Sequence, residues 1–340
     1  VRNSNPWRKP VIIAGIVLAV VLAAAGVVLL GNDYRFTQTA VQIPTPDGRL
    51  DGVLTMPRTD SPRGLVVMVH GDSAVDATQD GLYSPWFEGA ADAGFATLSW
   101  SKPGVGGSTG DWLDQSMDDR AAEVSVAIDW ALGQTGIPTE RIVLWGASQA
   151  GWVMPKVVAE RDDIDGVVAA GTAINWLTQG RFNLLADLDH ENATEAARAQ
   201  AIAESDAVRG LLDRGASYEE YREITTDDPP MTAERWAFVA RNMHADATAD
   251  LRASAVREIP VLLLIGEHDR NVDVDETERV YRDVFGSALS VRRVDSAHSL
   301  ARPVVEDNAF VGTLIGTVWP RALLAPGVID AYTGSLRAID

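Results

Sequence analysis

The sequence contains no cysteine in 340 residues. That excludes a disulfide framework, thiolate metal sites, a cysteine nucleophile and a lipid-modified cysteine anchor. It also suits an oxidising compartment, where a stray thiol is a liability. Positive charge is scarce. Lys and Arg number 29 against 48 Asp and Glu, a formal net charge of -19. Such a surface repels phosphates, so no nucleic acid is expected as a partner. There are only five histidines, His70, His190, His244, His268 and His298. No internal repeat or low-complexity tract appears. Gly104, Gly106, Gly107 and Gly110 lack the spacing of a dinucleotide-binding loop. Apolar residues make up 46% and charged residues 23%, the composition of a chain that buries a core. Its length suggests one large α/β domain, or one domain carrying an insertion.

Residues 1–31 read as a separate object. Val11 to Leu30 carries no charged or polar side chain. At about 1.5 Å per residue, a helix of this length spans ~30 Å, the hydrocarbon thickness of a bilayer. Arg2, Arg8 and Lys9 precede the run, so the basic tip should stay in the cytoplasm and the rest should lie outside. The expectation is an uncleaved single-pass membrane anchor with an extracytoplasmic domain. The alternative is a signal peptide and a secreted product. Against that, Val27-Val28-Leu29-Leu30 continues the apolar run past the small residues Ala23-Ala24-Ala25.

Beyond the run, Pro46-Asp47-Gly48 marks a hairpin turn within residues 41–56. Short apolar runs follow at residues 65–69, 95–100, 142–145, 166–170 and 261–265. Runs of this kind fit strands buried on both faces, as in a parallel sheet. An alternating run, Leu289 to Val294, reads as the last strand. Helical patterns lie between: Asp118 to Trp130, with Ala122, Val126 and Trp130 on one face, then Gln149 to Glu160 and Asp273 to Val284. Alternation of this kind predicts an α/β sheet with helices on both faces. Residues 172–258 break it. They hold helical patterns at Ala193–Leu212 and Thr232–His244 and no convincing strand. They are too long for a loop and read as a helical cap, splitting the core into residues 32–171 and 259–340.

The sharpest local signal is Gly146-Ala147-Ser148-Gln149-Ala150, which follows a strand and precedes a helical pattern. Small residues at 146 and 150 allow a tight strand-to-helix turn with the serine at its apex. A serine hydroxyl is a weak nucleophile and needs a base. His298 follows the last strand, and Asp269 follows the run 261–265. In a parallel sheet, residues at these strand ends share one edge with Ser148, which is where ligands bind. Asp273 is the second candidate for the acid and His268 a weaker candidate for the base. His70 reads as a structural histidine shaping its loop. Asp187, Asp189, His190 and Glu191 lack metal-ligand spacing and read as solvated surface. Asp269, Asp273, Asp275 and Glu276 lack the glycine and spacing of a calcium loop. No metal and no cofactor are therefore expected.

The order Ser148, Asp269, His298 resembles the nucleophile–acid–base order of the α/β-hydrolases, from about residue 40 to about residue 320. The closer resemblance is to capped bacterial serine esterases and serine aminopeptidase-like hydrolases. His70-Gly71-Asp72 resembles the family's oxyanion loop, and Ser101–Ser108 its Gly-rich loop. Ser101 and Pro103 replace the usual Asp and Arg-like positions, which puts any ion pair of that loop in doubt. The resemblance implies Ser148 as nucleophile, His298 as base and Asp269 as its orienting acid. It implies backbone amides of Asp72 and Gln149 as the oxyanion hole, with the Asp72 side chain pointing away. Trp152 and Trp176 are expected to line the substrate site, while Trp86 and Trp112 fit the core equally well. The expected activity is hydrolysis of a small-molecule carboxylic ester. An aminopeptidase is the rival, for which Glu191, Glu195, Glu204, Glu219 and Glu220 offer amine-binding carboxylates. An acyltransferase and a non-catalytic binding protein of the same fold are further alternatives.

Overall fold

The computed structural model describes residues 8–59 and 62–339, with side chains of the N-terminal helix described from residue 18 onward. Helix α1 (Arg8–Gly31) leads into the hairpin β1 (Phe36–Thr45) and β2 (Gly48–Pro57). Then follow β3 (Gly64–Val69), α2 (Ser84–Asp92), β4 (Phe95–Trp100), α3 (Met117–Leu132), β5 (Ile142–Ala147), α4 (Met154–Glu160) and β6 (Gly166–Ala170). Five helices come next: α5 (Trp176–His190), α6 (Glu195–Asp213), α7 (Tyr218–Ile224), α8 (Ala233–Asn242) and α9 (Thr248–Ala255). The chain ends with β7 (Val261–Gly266), α10 (Val274–Phe285), β8 (Leu289–Val294), α11 (Pro303–Glu306), α12 (Ala309–Val318) and α13 (Val328–Arg337).

The strands form one eight-stranded sheet of order β1-β2-β4-β3-β5-β6-β7-β8. Only β1–β2 and β2–β4 pair antiparallel. The hairpin closes at Thr45 opposite Gly48, where the Pro46-Asp47 turn was expected. Side chains alternate across the pleat. Leu65, Val67 and Val69 of β3 enter a core formed with α3, α4, α9 and α10. Val66 and Met68 enter a second core with α2 and α13. The sheet is thus covered on both faces, which is why its central strands read as unbroken apolar runs.

Two expectations need correction. In α3 the buried residues include Met117, Arg120, Ala121, Val124 and Ile128, and Ala122 is exposed. The sequence carries two apolar stripes, and the one containing an arginine is the one that faces in. The second correction concerns the insertion. Its last helix, α9, packs Leu251 into the sheet-side core, so it belongs structurally to the layer with α4 and α10. Helices α6, α7 and α8 build a small core of their own around Leu211, Tyr221 and Trp236.

The apolar run Val11–Leu30 is helical within α1, but its side chains up to residue 17 lie outside the described residues. Among the described residues no helix is long and apolar enough to cross a membrane. The described part of α1 exposes Leu18, Leu22, Leu29 and Leu30.

Candidate active site

Strand β5 delivers Ser148 at a sharp turn. Ser148 has φ +51° and opens a short 3-10 segment, Ser148–Trp152, that leads into α4. The turn tolerates only small neighbours. A Cβ on Gly146 would sit 2.7 Å from the Ala150 Cβ and 2.6 Å from Met154 Sδ. A left-handed backbone at a non-glycine residue costs about 1–2 kcal/mol, strain of a kind that clusters at active sites.

Asp269 lies just past β7 with its carboxylate fully enclosed. Its Oδ1 accepts from the amides of Asn271 (2.8 Å) and Val272 (2.9 Å). Its Oδ2 is 2.7 Å from His298 Nδ1. Asp273 instead caps α10, accepting from the Asp275 and Glu276 amides. His268 pairs with exposed Asp295 and borders the same pocket as His298. Ser148 forms no hydrogen bond to His298. Strand register joins the two: Ala147 pairs with Ala170, so Ser148 and Gly171 leave adjacent strands side by side. Gly171, at φ +55°, sits against the imidazole, where a Cβ would be 3.3 Å from His298 Nδ1 and 3.1 Å from His298 O. The sequence reading missed this glycine. Gly171→Ala is expected to push the ring off its seat and lower turnover about tenfold to hundredfold. Steady-state kinetics on an unchanged, cooperatively melting protein checks it.

The second missed residue is Arg120. Its buried guanidinium donates from Nη1 to Gln149 Oε1 (2.5 Å) and from Nη2 to the His70 carbonyl (2.6 Å). It therefore ties the loop after β3 to the residue following Ser148. Nearby, Lys102 is buried over the Trp112 ring and donates to the Gly71 carbonyl at 2.6 Å. Burial pushes its ammonium down to about 6. Lys102 thus holds this loop by a hydrogen bond where an ion pair was in doubt. Gly71 lies against the serine turn, where a Cβ would be 3.4 Å from the Ser148 Cβ, and the Gln149 amide lies in the first turn of the helical segment, where amides have no intrahelical acceptor. The Asp72 side chain is engaged by the insertion. Its carboxylate meets Arg235 of α8 in two contacts, 2.9 and 2.5 Å. Burial alone would raise the Asp72 carboxyl, but Arg235 outweighs it and holds it below the usual carboxylate range.

His70 is enclosed between Tyr83 and the Trp100 carbonyl, to which Nε2 is bonded. Burial pushes it down to about 3, against an ordinary histidine value near 6.5. The fold therefore binds fewer protons than the unfolded chain between those values. Stability from this group is complete above about pH 6.5 and falls as pH drops towards 3. In a nitrogen NMR titration the His70 ring should stay neutral from pH 8 to about 4.5. Protonation near neutrality would contradict this burial.

A pocket of about 370 Å3 borders the imidazole, lined by Asp187, His190, Arg270, Pro303, Glu306 and Asp307 among others. A larger cleft of about 760 Å3 between α5 and α10 contains none of the three residues. Trp152 and Trp176 do not border the pocket beside His298, contrary to expectation. They stack on each other at 5.1 Å, and Trp152 is core, its Nε1 donating to the Ile174 carbonyl. Among the described residues no group of side chains is arranged to hold a metal ion.

Residues 60–297 match the hydrolase family described as serine aminopeptidase, S33. The chain belongs to that family. It is a serine hydrolase of the α/β-hydrolase fold. No curated protein matches it significantly. Solved structures share the fold of this S33-family hydrolase. An esterase of Pyrococcus furiosus aligns with TM-score 0.53 and 16% identity over 85% of this chain and 92% of its own. Est1E of Butyrivibrio proteoclasticus gives 0.51 and 14% over 88% and 96%. An acylaminoacyl peptidase of Pyrococcus horikoshii gives 0.53 and 13% over 90% of this chain and 42% of its own. At such identities the likeness speaks for the fold alone.

Proposed function

We propose that the protein hydrolyses a carboxylic ester through an acyl-enzyme on Ser148. The observation that carries this reading is the His298–Asp269 pair, 2.7 Å apart, on the sheet edge beside the left-handed turn of Ser148. In this mechanism Ser148 Oγ attacks the acyl carbonyl. His298 Nε2 takes the serine proton and returns it to the leaving alkoxide. Asp269 accepts from Nδ1–H, which fixes the tautomer and stabilises the imidazolium. The Asp72 and Gln149 amides receive the developing oxyanion, each worth about 3–4 kcal/mol in the transition state. The Ser148–His298 bond closes when substrate binds, as is common for catalytic hydrogen bonds that are long without ligand. Water then cleaves the acyl-enzyme by the same steps in reverse.

A peptidase acting on a free amino terminus is the second reading. It is favoured by the family description and by Asp187, Glu306 and Asp307 at the pocket, which suit an ammonium group. The carboxylates expected from the sequence for this task, Glu191 to Glu220, are not among the pocket residues. A panel of p-nitrophenyl esters against aminoacyl p-nitroanilides separates the readings. Ester turnover exceeding anilide turnover by at least about a hundredfold is expected, and the reverse order would establish the peptidase.

The same proposal places α1 in the cytoplasmic membrane, with Arg2, Arg8 and Lys9 inside and the hydrolase outside. Retention of the full chain through carbonate washing supports it. A processed chain starting near residue 31 would show secretion instead.

A further inference from the structure

Helix α12 presents an outward face that nothing among the described residues covers. Its sequence, AFVGTLIGTV, carries no charge. Phe310, Thr313, Leu314 and Thr317 recur at helical spacing on that face, and all are exposed, Phe310 by 76%. Both threonine hydroxyls are spent inside the helix, Thr313 on the Ala309 carbonyl and Thr317 on the Thr313 carbonyl, each at 2.8 Å. The face therefore offers no unsatisfied side-chain donor, the condition for contact with hydrocarbon. Leu82, Val304 and Trp319 are exposed as well. Isolated exposed apolar residues are ordinary, whereas a helix face of them marks an interaction surface.

What covers it is indicated by α1. The end of α1 is seated on the end of α12, where a Cβ on Gly31 would lie 2.1 Å from the Val318 carbonyl oxygen. Asn32 Nδ2 donates to the Thr317 carbonyl at 3.1 Å. Arg321 locks the junction. It donates to the Gly31 carbonyl at 2.7 Å, pairs with Glu88 at 2.6 Å, and lies over the Tyr34 ring. Trp319, Tyr34 and Arg321 are residue types of a membrane–water boundary. The hairpin is also continuous with the site. Pro303, Glu306 and Asp307 border the pocket at His298, and Ser299 Oγ donates to Glu306 Oε2 at 2.8 Å.

We propose that the α11–α12 hairpin rests in the headgroup–acyl boundary beside α1 and opens the pocket towards the bilayer, so that the acyl donor is a membrane-resident ester. This rests on the reading of α1 as a membrane helix. The acidic Glu306 and Asp307 at the pocket side fit a neutral or zwitterionic surface rather than an anionic one.

The cysteine-free chain allows a clean test. The full chain is reconstituted in phosphatidylcholine vesicles carrying a single NBD-labelled cysteine, either Leu314→Cys or Val256→Cys, the latter an exposed position on the insertion. Nitroxide-labelled acyl chains should quench the probe at 314 several-fold more than the probe at 256. Equal quenching in a chain that floats with the vesicles overturns the inference and leaves the anchor standing. A chain that does not float overturns the anchor reading and this inference with it. A shielded, unquenched probe at 314 that becomes exposed on dilution assigns the face to a second copy and also overturns it. In a second arm, F310D/L314D should keep p-nitrophenyl acetate turnover within about twofold and lose at least tenfold on vesicle-borne p-nitrophenyl palmitate. Equal loss on both esters contradicts the proposal.

Discussion

Ser148→Ala is expected to lower ester turnover by about 10⁴-fold or more while leaving the melting temperature within a few degrees of the parent. The activity term follows from chemistry: without Oγ no acyl-enzyme forms, and only the flanking amides and substrate positioning remain. The stability term follows from the backbone. Ser148 has φ +51°, and alanine and serine carry similar penalties there, so the strain is unchanged. Packing is unchanged too, since Gly146 and Ala150 still meet across the turn. Kinetics and thermal melting on the same preparation check both halves. Activity within tenfold of the parent would move the nucleophile elsewhere.

Asp269→Asn is expected to cost about 10⁴-fold in turnover, and Asp273→Asn less than about threefold. The asymmetry is built into the hydrogen bonds. Asp269 Oδ1 is claimed by the Asn271 and Val272 amides, which can only donate. An asparagine at 269 would keep its oxygen on those amides and turn its NH2 group towards His298 Nδ1. That places the imidazole proton on Nε2, where it blocks proton transfer from Ser148. Asp273 meets only the Asp275 and Glu276 amides, and an asparagine oxygen accepts from them equally well. The reverse ranking would make Asp273 the acid. Two near-parental mutants would place the acid elsewhere.

The strands, and the placing of Ser148, Asp269 and His298 at the ends of neighbouring strands, were legible because their signals are local. Each central strand is buried on both faces and so reads as an apolar run. Ser148 sits in a turn that needs small neighbours, and Asp269 and His298 follow strands directly. What was not legible depends on partners distant in sequence. Arg120 carries no signal of its own in the sequence, because an arginine facing inward is sensible only once the His70 carbonyl and the Gln149 side chain are known to meet it. Gly171 carried no motif, and its role appears only when His298 is packed against it. Trp152 and Trp176 are near Ser148 in sequence or insertion order, yet they point into the core beneath the insertion. The segment after His298 has no catalytic signature, and the weight of α12 lies in an apolar face that stays uncovered after folding.

The central claim is that one serine, Ser148, becomes acylated. Treatment of the full chain with a fluorophosphonate, followed by intact-mass and peptide mass spectrometry, tests it most directly. The account predicts one adduct per chain, carried by Ser148, slowed by Gly171→Ala and absent in Ser148→Ala. An adduct on another residue, or ester hydrolysis that persists in a chain fully modified at Ser148, would contradict it.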